Sequence, residues 1–224
     1  MPHEGNRAGG PCRIAKVAVT GGGCAGKTKF MRLAQEEAEG HGWSVLTVPE
    51  SPTAVMENGV RPGGRVPFAE YERTIFDIQV AWESAMAKTA RTMEGSDPVL
   101  VLCDRGLPDI AAYMDAAQYA SLLAELGMTP DEARDAYDAV IHLVSVVDGA
   151  PDLYGKHNNA ERYETPEEAM RQELRVRQCW EGAAHLHVIP ATKEPVAAKM
   201  AAALAALGAE LGWVDGFCEP RQID

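Results

Sequence analysis

Apolar positions along the chain fall into two alternating rhythms. Short runs rich in β-branched side chains occupy Ala15 to Thr20, Ser44 to Val48, Val99 to Cys103, Val140 to Val146 and Leu186 to Ile189, and each predicts a buried strand. Between them, apolar residues recur three and four positions apart over Thr28 to Gly40, Phe68 to Met93, Leu107 to Leu126, Thr165 to Trp180 and Glu194 to Leu211, which predicts helices. Strand and helix in alternation predict an α/β fold, a doubly wound five-stranded parallel sheet covered on both faces. Thr129-Pro130-Asp131-Glu132 and Thr165-Pro166-Glu167-Glu168 each put a capping hydroxyl before a proline and first-turn acids, the signature of a helix start. Glu57 to Pro67, with three glycines and two prolines, reads as a mobile loop, as does Asp148 to Arg162.

Composition narrows the function classes. With 224 residues, 46% of them hydrophobic, the chain can bury one substantial core, and 21 basic against 33 acidic residues give a net charge of −12, the wrong sign for general nucleic-acid binding. Apolar runs such as Val99 to Cys103 are strand-sized and far short of the roughly 20 residues that span a bilayer as a helix, so no membrane span is expected, and with no apolar secretory stretch in Met1 to Cys12 a cytoplasmic location is expected. The expected division is a disordered leader over 1–13, one domain over 14–212 with a lid at about 150–177, and a tail over 213–224. The cysteines at 12, 24, 103, 179 and 218 form no C-x-x-C pair, which fits reduced thiols and speaks against a zinc site.

Chemistry enters at Gly21-Gly22-Gly23-Cys24-Ala25-Gly26-Lys27-Thr28. It fits G-x-x-x-x-G-K-[ST] and lies between a predicted strand and a predicted helix. Such a loop curls backbone N–H groups around a phosphate at a helix N-terminus, its lysine reaches the β- and γ-phosphates, and its threonine ligates Mg2+. Asp104 ends an apolar strand where a Walker B acid stands and is the second candidate metal ligand, and Arg105 follows it as a fixed cation for substrate or transition state. Glu50 follows the second strand, at the carboxyl edge of the sheet, where a carboxylate can take a proton from an acceptor hydroxyl or orient it. On the helix from 68, Phe76, Gln79 and Glu83 recur at helical spacing, with Tyr71 and Arg73 nearby, as acceptor-site candidates. His142 and His185, in or beside apolar strands, read as structural.

With the phosphate loop, Val48-Pro49-Glu50-Ser51-Pro52 and Asp104-Arg105-Gly106 in place, the chain resembles the NadR-like P-loop kinases, which include the nicotinamide riboside kinase domain, from about Ile14 to Leu211. The resemblance extends to Asn158-Asn159-Ala160-Glu161-Arg162, which looks like that family's lid, and to Trp180-Glu181-Gly182. A looser likeness to deoxynucleoside kinases implies a base at Glu50 and a nucleobase-reading amide at Gln79, although Asp104 and Gly106 stand where that pattern has Glu and Ser. These resemblances imply an ATP-dependent, Mg2+-requiring kinase that phosphorylates a hydroxyl of a nucleoside-like or ribosylated small molecule. Lys27, Glu50, Asp104, Arg105 and Arg162 are then the expected catalytic residues, and Glu50, Gln79 and Arg105 the substrate-binding ones. Among Lys156, Arg162, Arg171, Arg175 and Arg177, the last three are equally readable as surface partners of Glu167, Glu168 and Glu173. A nucleotide-binding switch and a kinase of antibiotics or other specialised metabolites are the alternatives. The expected partner is the phosphoryl acceptor, with a homodimer open.

Overall fold

The computed structural model describes residues 12–63, 65–148, 165–191 and 196–213. Five parallel strands, β1 (Ile14–Thr20), β2 (Ser44–Val48), β3 (Val99–Asp104), β4 (Ala139–Leu143) and β5 (Leu186–Ile189), form one sheet in the order β2-β3-β1-β4-β5. Along β3, Leu100 and Leu102 face a core shared with Phe30 and Ala34 of α1 (Lys27–Gly40) and Ala203 and Leu207 of α8 (Val196–Leu211). Val99, Val101 and Cys103 face the other way, toward Ala90 of α3 (Phe68–Thr92), Tyr137 and Trp180. Two covered faces require apolar residues at both parities, which is why the strand reads as an unbroken apolar run.

Because β3 and β4 flank β1, the chain switches sides of β1 between them, and such a switch opens a crevice at the carboxyl ends of the strands. The register sets Val19 beside Asp104, and the Arg105 N–H donates to Val19 O at 2.9 Å. Residues following β1, β2 and β3 therefore meet at one edge.

Three elements differ from the sequence pattern. Leu107 to Leu126 is two helices, α4 (Leu107–Ile110) and α5 (Ala116–Glu125), because the Asp115 carboxylate accepts the Gln118 N–H at 2.9 Å and starts a new helix there. β4 ends at Leu143 and not at Val146: the Ser145 N–H turns to the Glu173 carboxylate, and Val144 and Val147 are buried without being strand. Between β2 and the predicted loop, Ser51–Glu57 forms α2, with Pro52 in its first turn. The two hydroxyl caps do form, Thr129 on α6 (Pro130–Asp135) and Thr165 on α7 (Pro166–Gln178), each with a reciprocal capping box. The leader over 1–11, the segment 149–164 that holds most of the expected lid, and the tail from 214 lie outside the described residues.

Candidate active site

The phosphate loop is a turn that side chains could not make. Gly21 has φ 131°, and a Cβ there would stand 2.1 Å from Leu143 O. Three elements grip the loop from outside: Glu173 of α7 accepts the Gly22 N–H at 2.7 Å, Ser145 donates to Gly23 O, and Lys199 of α8 donates to Ala25 O at 2.7 Å and Val144 O at 2.6 Å. Lys27, the first residue of α1, folds back to donate to Gly21 O at 3.0 Å and Gly22 O at 3.2 Å. Burial, with the Arg105 charge beside it, lowers its pKa to about 8 against the opposing pull of Glu50 and Asp104. Thr28 is exposed on the next position of the helix.

Asp104 and Arg105 are not an ion pair with each other. Asp104 Oδ1 is buried without a hydrogen-bond partner, and burial raises this carboxyl to about 6 even though Lys27 pulls the other way. A buried oxygen acceptor without a donor, near enough to the phosphate-loop lysine to feel its charge, suits a hard divalent cation; Mg2+ commonly takes one or two protein ligands and fills its shell with water and phosphate. Arg105 lies in the left-handed region at φ 74°, a cost that only surrounding bonds can sustain. Its N–H is held by Val19, and its carbonyl accepts from Gln79 Nε2 at 3.3 Å. Its Nε donates to Glu50 Oε1 at 2.7 Å, and its Nη1 lies 3.7 Å from Asp109 Oδ1.

Glu50 is therefore engaged. Burial pushes its carboxyl up, but the charges of Arg105 and Lys27 and a 2.6 Å hydrogen bond from Thr53 outweigh this and hold it at about 2. Gln79 is buried and committed: its Oε1 accepts from Ser51 at 2.7 Å, and its Nε2 donates to Glu83 Oε1 at 2.7 Å as well as to Arg105 O. Glu83 in turn accepts from Tyr137 at 2.7 Å and pairs with Lys16 at 2.5 Å. Phe76 belongs to the core, and Arg73 bonds Asp77 and Glu125 on the surface.

Beside Glu50 and Arg105 opens a cavity of about 440 Å³, bounded by α2, α3, the segment after β3 and α7. Of the helix candidates, Tyr71 and Gln79 line it. Arg162 and Lys156, with Asn158 and Asn159, lie outside the described residues, so the site as described is the loop, Asp104, Arg105, Glu50 and this cavity. Arg171, Arg175 and Arg177 are exposed, whereas Glu173 is buried and so is no surface partner for them: its Oε1 is 2.6 Å from His142 Nε2.

The sequence pattern leaves Asp109 and Glu72 unmarked and makes Glu173 look like a surface residue. Asp109 accepts from Thr20, from the Gly106 N–H at 2.9 Å and from Trp180 Nε1 at 3.3 Å; its position four after Arg105 on a short helix was a signal. Glu173 shares its helix with exposed charges, and nothing local marks it as buried. Glu72 lines the cavity, and its place seven residues before Gln79 on one helical face was legible. Gly106, where the deoxynucleoside-kinase pattern has Ser, also has a reason: a Cβ would stand 2.8 Å from the Tyr137 ring and 2.9 Å from Trp180.

Comparison with known proteins agrees with this fold. The family model described as an AAA domain matches residues 16–199. The NadR protein solved with NAD and AMP-PNP superposes with a TM-score of 0.61 at 12% identity, over 93% of this chain and 52% of that one; NadR solved with NR gives 0.61 at 13%, over 93% and 54%. Thymidylate kinase from Ehrlichia chaffeensis gives 0.54 at 13%, over 88% and 98%. The chain thus spans about half the length of the NadR chains it matches. No curated protein matches by sequence. The sheet-and-helix architecture is what these solved structures share with it, and the chain belongs to the AAA-domain family.

Proposed function

We propose that this protein is an ATP-dependent kinase that transfers the γ-phosphoryl group to a hydroxyl of a small nucleoside-like or otherwise ribosylated molecule. The observation that carries the reading is the convergence, at one edge of the sheet, of a lysine-bearing phosphate loop, a buried carboxylate oxygen with no donor, and a Glu50–Arg105 pair opening into a cavity of about 440 Å³. A pocket of that size holds a nucleoside-sized molecule.

In this reading Gly21, Gly22, Gly23, Cys24, Ala25 and Gly26 shape the phosphate cradle, and Lys27 swings from its carbonyls to the phosphates. Thr28 and Asp104 would hold Mg2+, which when bound neutralises charge on the phosphates. Glu50, held at about 2, is a weak proton acceptor near neutrality; it serves as a hydrogen-bond acceptor that aims the hydroxyl. In a loose phosphoryl-transfer transition state, positioning and charge stabilisation carry most of the catalysis, so this is sufficient. Arg105 faces the transferring group, and Arg162 is the proposed second cation there.

The test is acceptor-dependent ADP release across a panel of ribosides and nucleosides, with wild type and Lys27→Ala side by side. At least one acceptor should accelerate ADP release in wild type and not in folded Lys27→Ala. Equal turnover in the two proteins, or no acceptor at all, would overturn the kinase reading.

A further inference from the structure

Two buried charges tie the phosphate loop to the end of β4. Glu173 of α7 accepts the N–H groups of Gly22 and Ser145, and Lys199 of α8 donates to the carbonyls of Ala25 and Val144, at 2.7 and 2.6 Å. Each bridges one loop residue and one residue just beyond the strand. Glu173 has His142 as a further partner, whereas Lys199 bonds only the two carbonyl oxygens among the described residues.

An ammonium is more than two carbonyls need. At 7% exposure, burial lowers the Lys199 pKa to about 8 against the pull of Glu173, so the side chain is charged near neutrality in spite of its surroundings. The elements packed against α8, namely α1, β4 and β5, bring no charge that acts on it. Neighbouring loop carbonyls are satisfied by neutral donors, Gly23 O by the Ser145 hydroxyl and Gly26 O by the Phe30 N–H at 3.0 Å.

The charge acts on the other end of the same peptide. No peptide bond of the described residues is cis, so the Gly26 N–H points away from the oxygen that Lys199 holds. That N–H opens α1, whose N-terminus has neither a side-chain cap nor an acid in its first turn, and it donates to no acceptor among the described residues. A donor on a carbonyl oxygen draws electron density from the N–H of that peptide, and successive hydrogen bonds strengthen one another in a low-dielectric interior. A cation on Ala25 O therefore makes the Gly26 N–H a stronger donor and fixes its plane, on the side where glycine-rich loop and helix N-terminus meet an anion.

We propose that Lys199 is a positioning residue of the phosphate loop: acting from behind, through the Ala25–Gly26 peptide, its charge strengthens the grip of the Gly26 N–H on a bound polyphosphate. The inference rests on the reading that this loop binds the triphosphate of ATP. It gives the loop a second cation besides Lys27, one that never touches the ligand.

The experiment compares wild type with Lys199→Gln, which keeps a donor for the carbonyls and drops the charge, and Lys199→Arg, which keeps the charge. Calorimetry gives dissociation constants for ATP and for inorganic tripolyphosphate, and NMR follows the Gly26 amide in the free proteins. Lys199→Gln should bind both probes about tenfold more weakly, the scale of one charge-assisted hydrogen bond, with its Gly26 amide proton upfield of wild type; Lys199→Arg should recover most of both. Without any substitution at 199, the same resonance should move upfield as the pH rises through about 8, and should do so equally in Lys27→Ala, which removes the other lysine titrating there. Unchanged affinities in folded Lys199→Gln, equal losses in the Gln and Arg variants, or a Gly26 resonance indifferent to pH would each overturn the assignment. Wild type that binds neither probe would overturn it together with the kinase reading. Tripolyphosphate affinity that follows the Lys199 charge, in a protein with no acceptor-dependent ADP release, would uphold the assignment and remove the kinase reading. Acceptor-dependent ADP release with affinities that ignore that charge would do the reverse.

Discussion

Glu173 Oε1 lies 2.6 Å from His142 Nε2 with both side chains at 2% exposure or less, while its other oxygen accepts the N–H groups of Gly22 at 2.7 Å and Ser145 at 3.2 Å. One carboxylate on α7 thus ties the entrance of the phosphate loop to the end of β4. Burial works against its charge, but the His142 contact and the two backbone donors prevail and hold it below the usual carboxylate value of 4.5.

Glu173→Gln should therefore destabilise the fold by about 3 kcal/mol at neutral pH, the cost of breaking a buried pair, and weaken ATP binding through the loosened loop. The sign with pH follows from the lowered pKa. Wild type holds this stabilisation in full above pH 4.5 and loses it as the pH falls through the lower folded value, so the gap to Glu173→Gln should close on acidification. Thermal melts from pH 3 to pH 8 check this; a gap that stays constant would mean that Glu173 acts by shape alone.

The strand pattern, the two Thr-Pro caps and the phosphate loop were legible because each is local: an apolar run, a hydroxyl before a proline, a glycine string before Lys-Thr. Glu50, Asp104 and Arg105 were legible one level up, since strand ends in a parallel sheet share an edge. What escaped was long-range. Nothing near Glu173 in the sequence says that Gly22, 151 residues away, donates to it, and a run of charged neighbours makes it look like surface. Asp115 broke a helix whose apolar periodicity continued through it, because one cap outweighs a pattern. Gln79 was legible as a candidate on its helix, but its partners Ser51, Glu83 and Arg105 come from three separate parts of the fold and were not.

That wiring separates two roles for Gln79. If it pins the strained Arg105 backbone, Gln79→Leu strips donors and acceptors from Ser51, Glu83 and Arg105 O, costs about 2–4 kcal/mol, and lowers kcat by a common factor for every acceptor. If it reads the acceptor, the variant changes the order of preference among acceptors instead. Melting temperature and kcat/KM over three acceptors tell these apart, and the expected result is the common factor.

Asp104 should show stability and function pulling in opposite directions. Its buried carboxyl keeps its proton up to about pH 6 in the folded chain, whereas the unfolded chain releases it near the ordinary 3.8. Between those values the folded state binds more protons, so raising the pH from 3.8 to 6 costs wild type stability. Asp104→Asn has no such proton to lose, and Oδ1 has no hydrogen bond to sacrifice. Without nucleotide the variant should match wild type below pH 3.8, pull ahead between 3.8 and 6, and stay on the order of 1–3 kcal/mol more stable above that. Mg2+ and ATP should reverse the order, because wild type gains binding energy that the variant cannot. Phosphoryl transfer by wild type should fall as the pH drops below about 6 and recover when Mg2+ is raised, since metal and proton compete for the same oxygen. Melts with and without Mg-ATP over pH 4 to 8 decide it: an Asn variant less stable than wild type in both conditions would mean that Asp104 is a structural strand-end carboxylate and that the metal lies elsewhere.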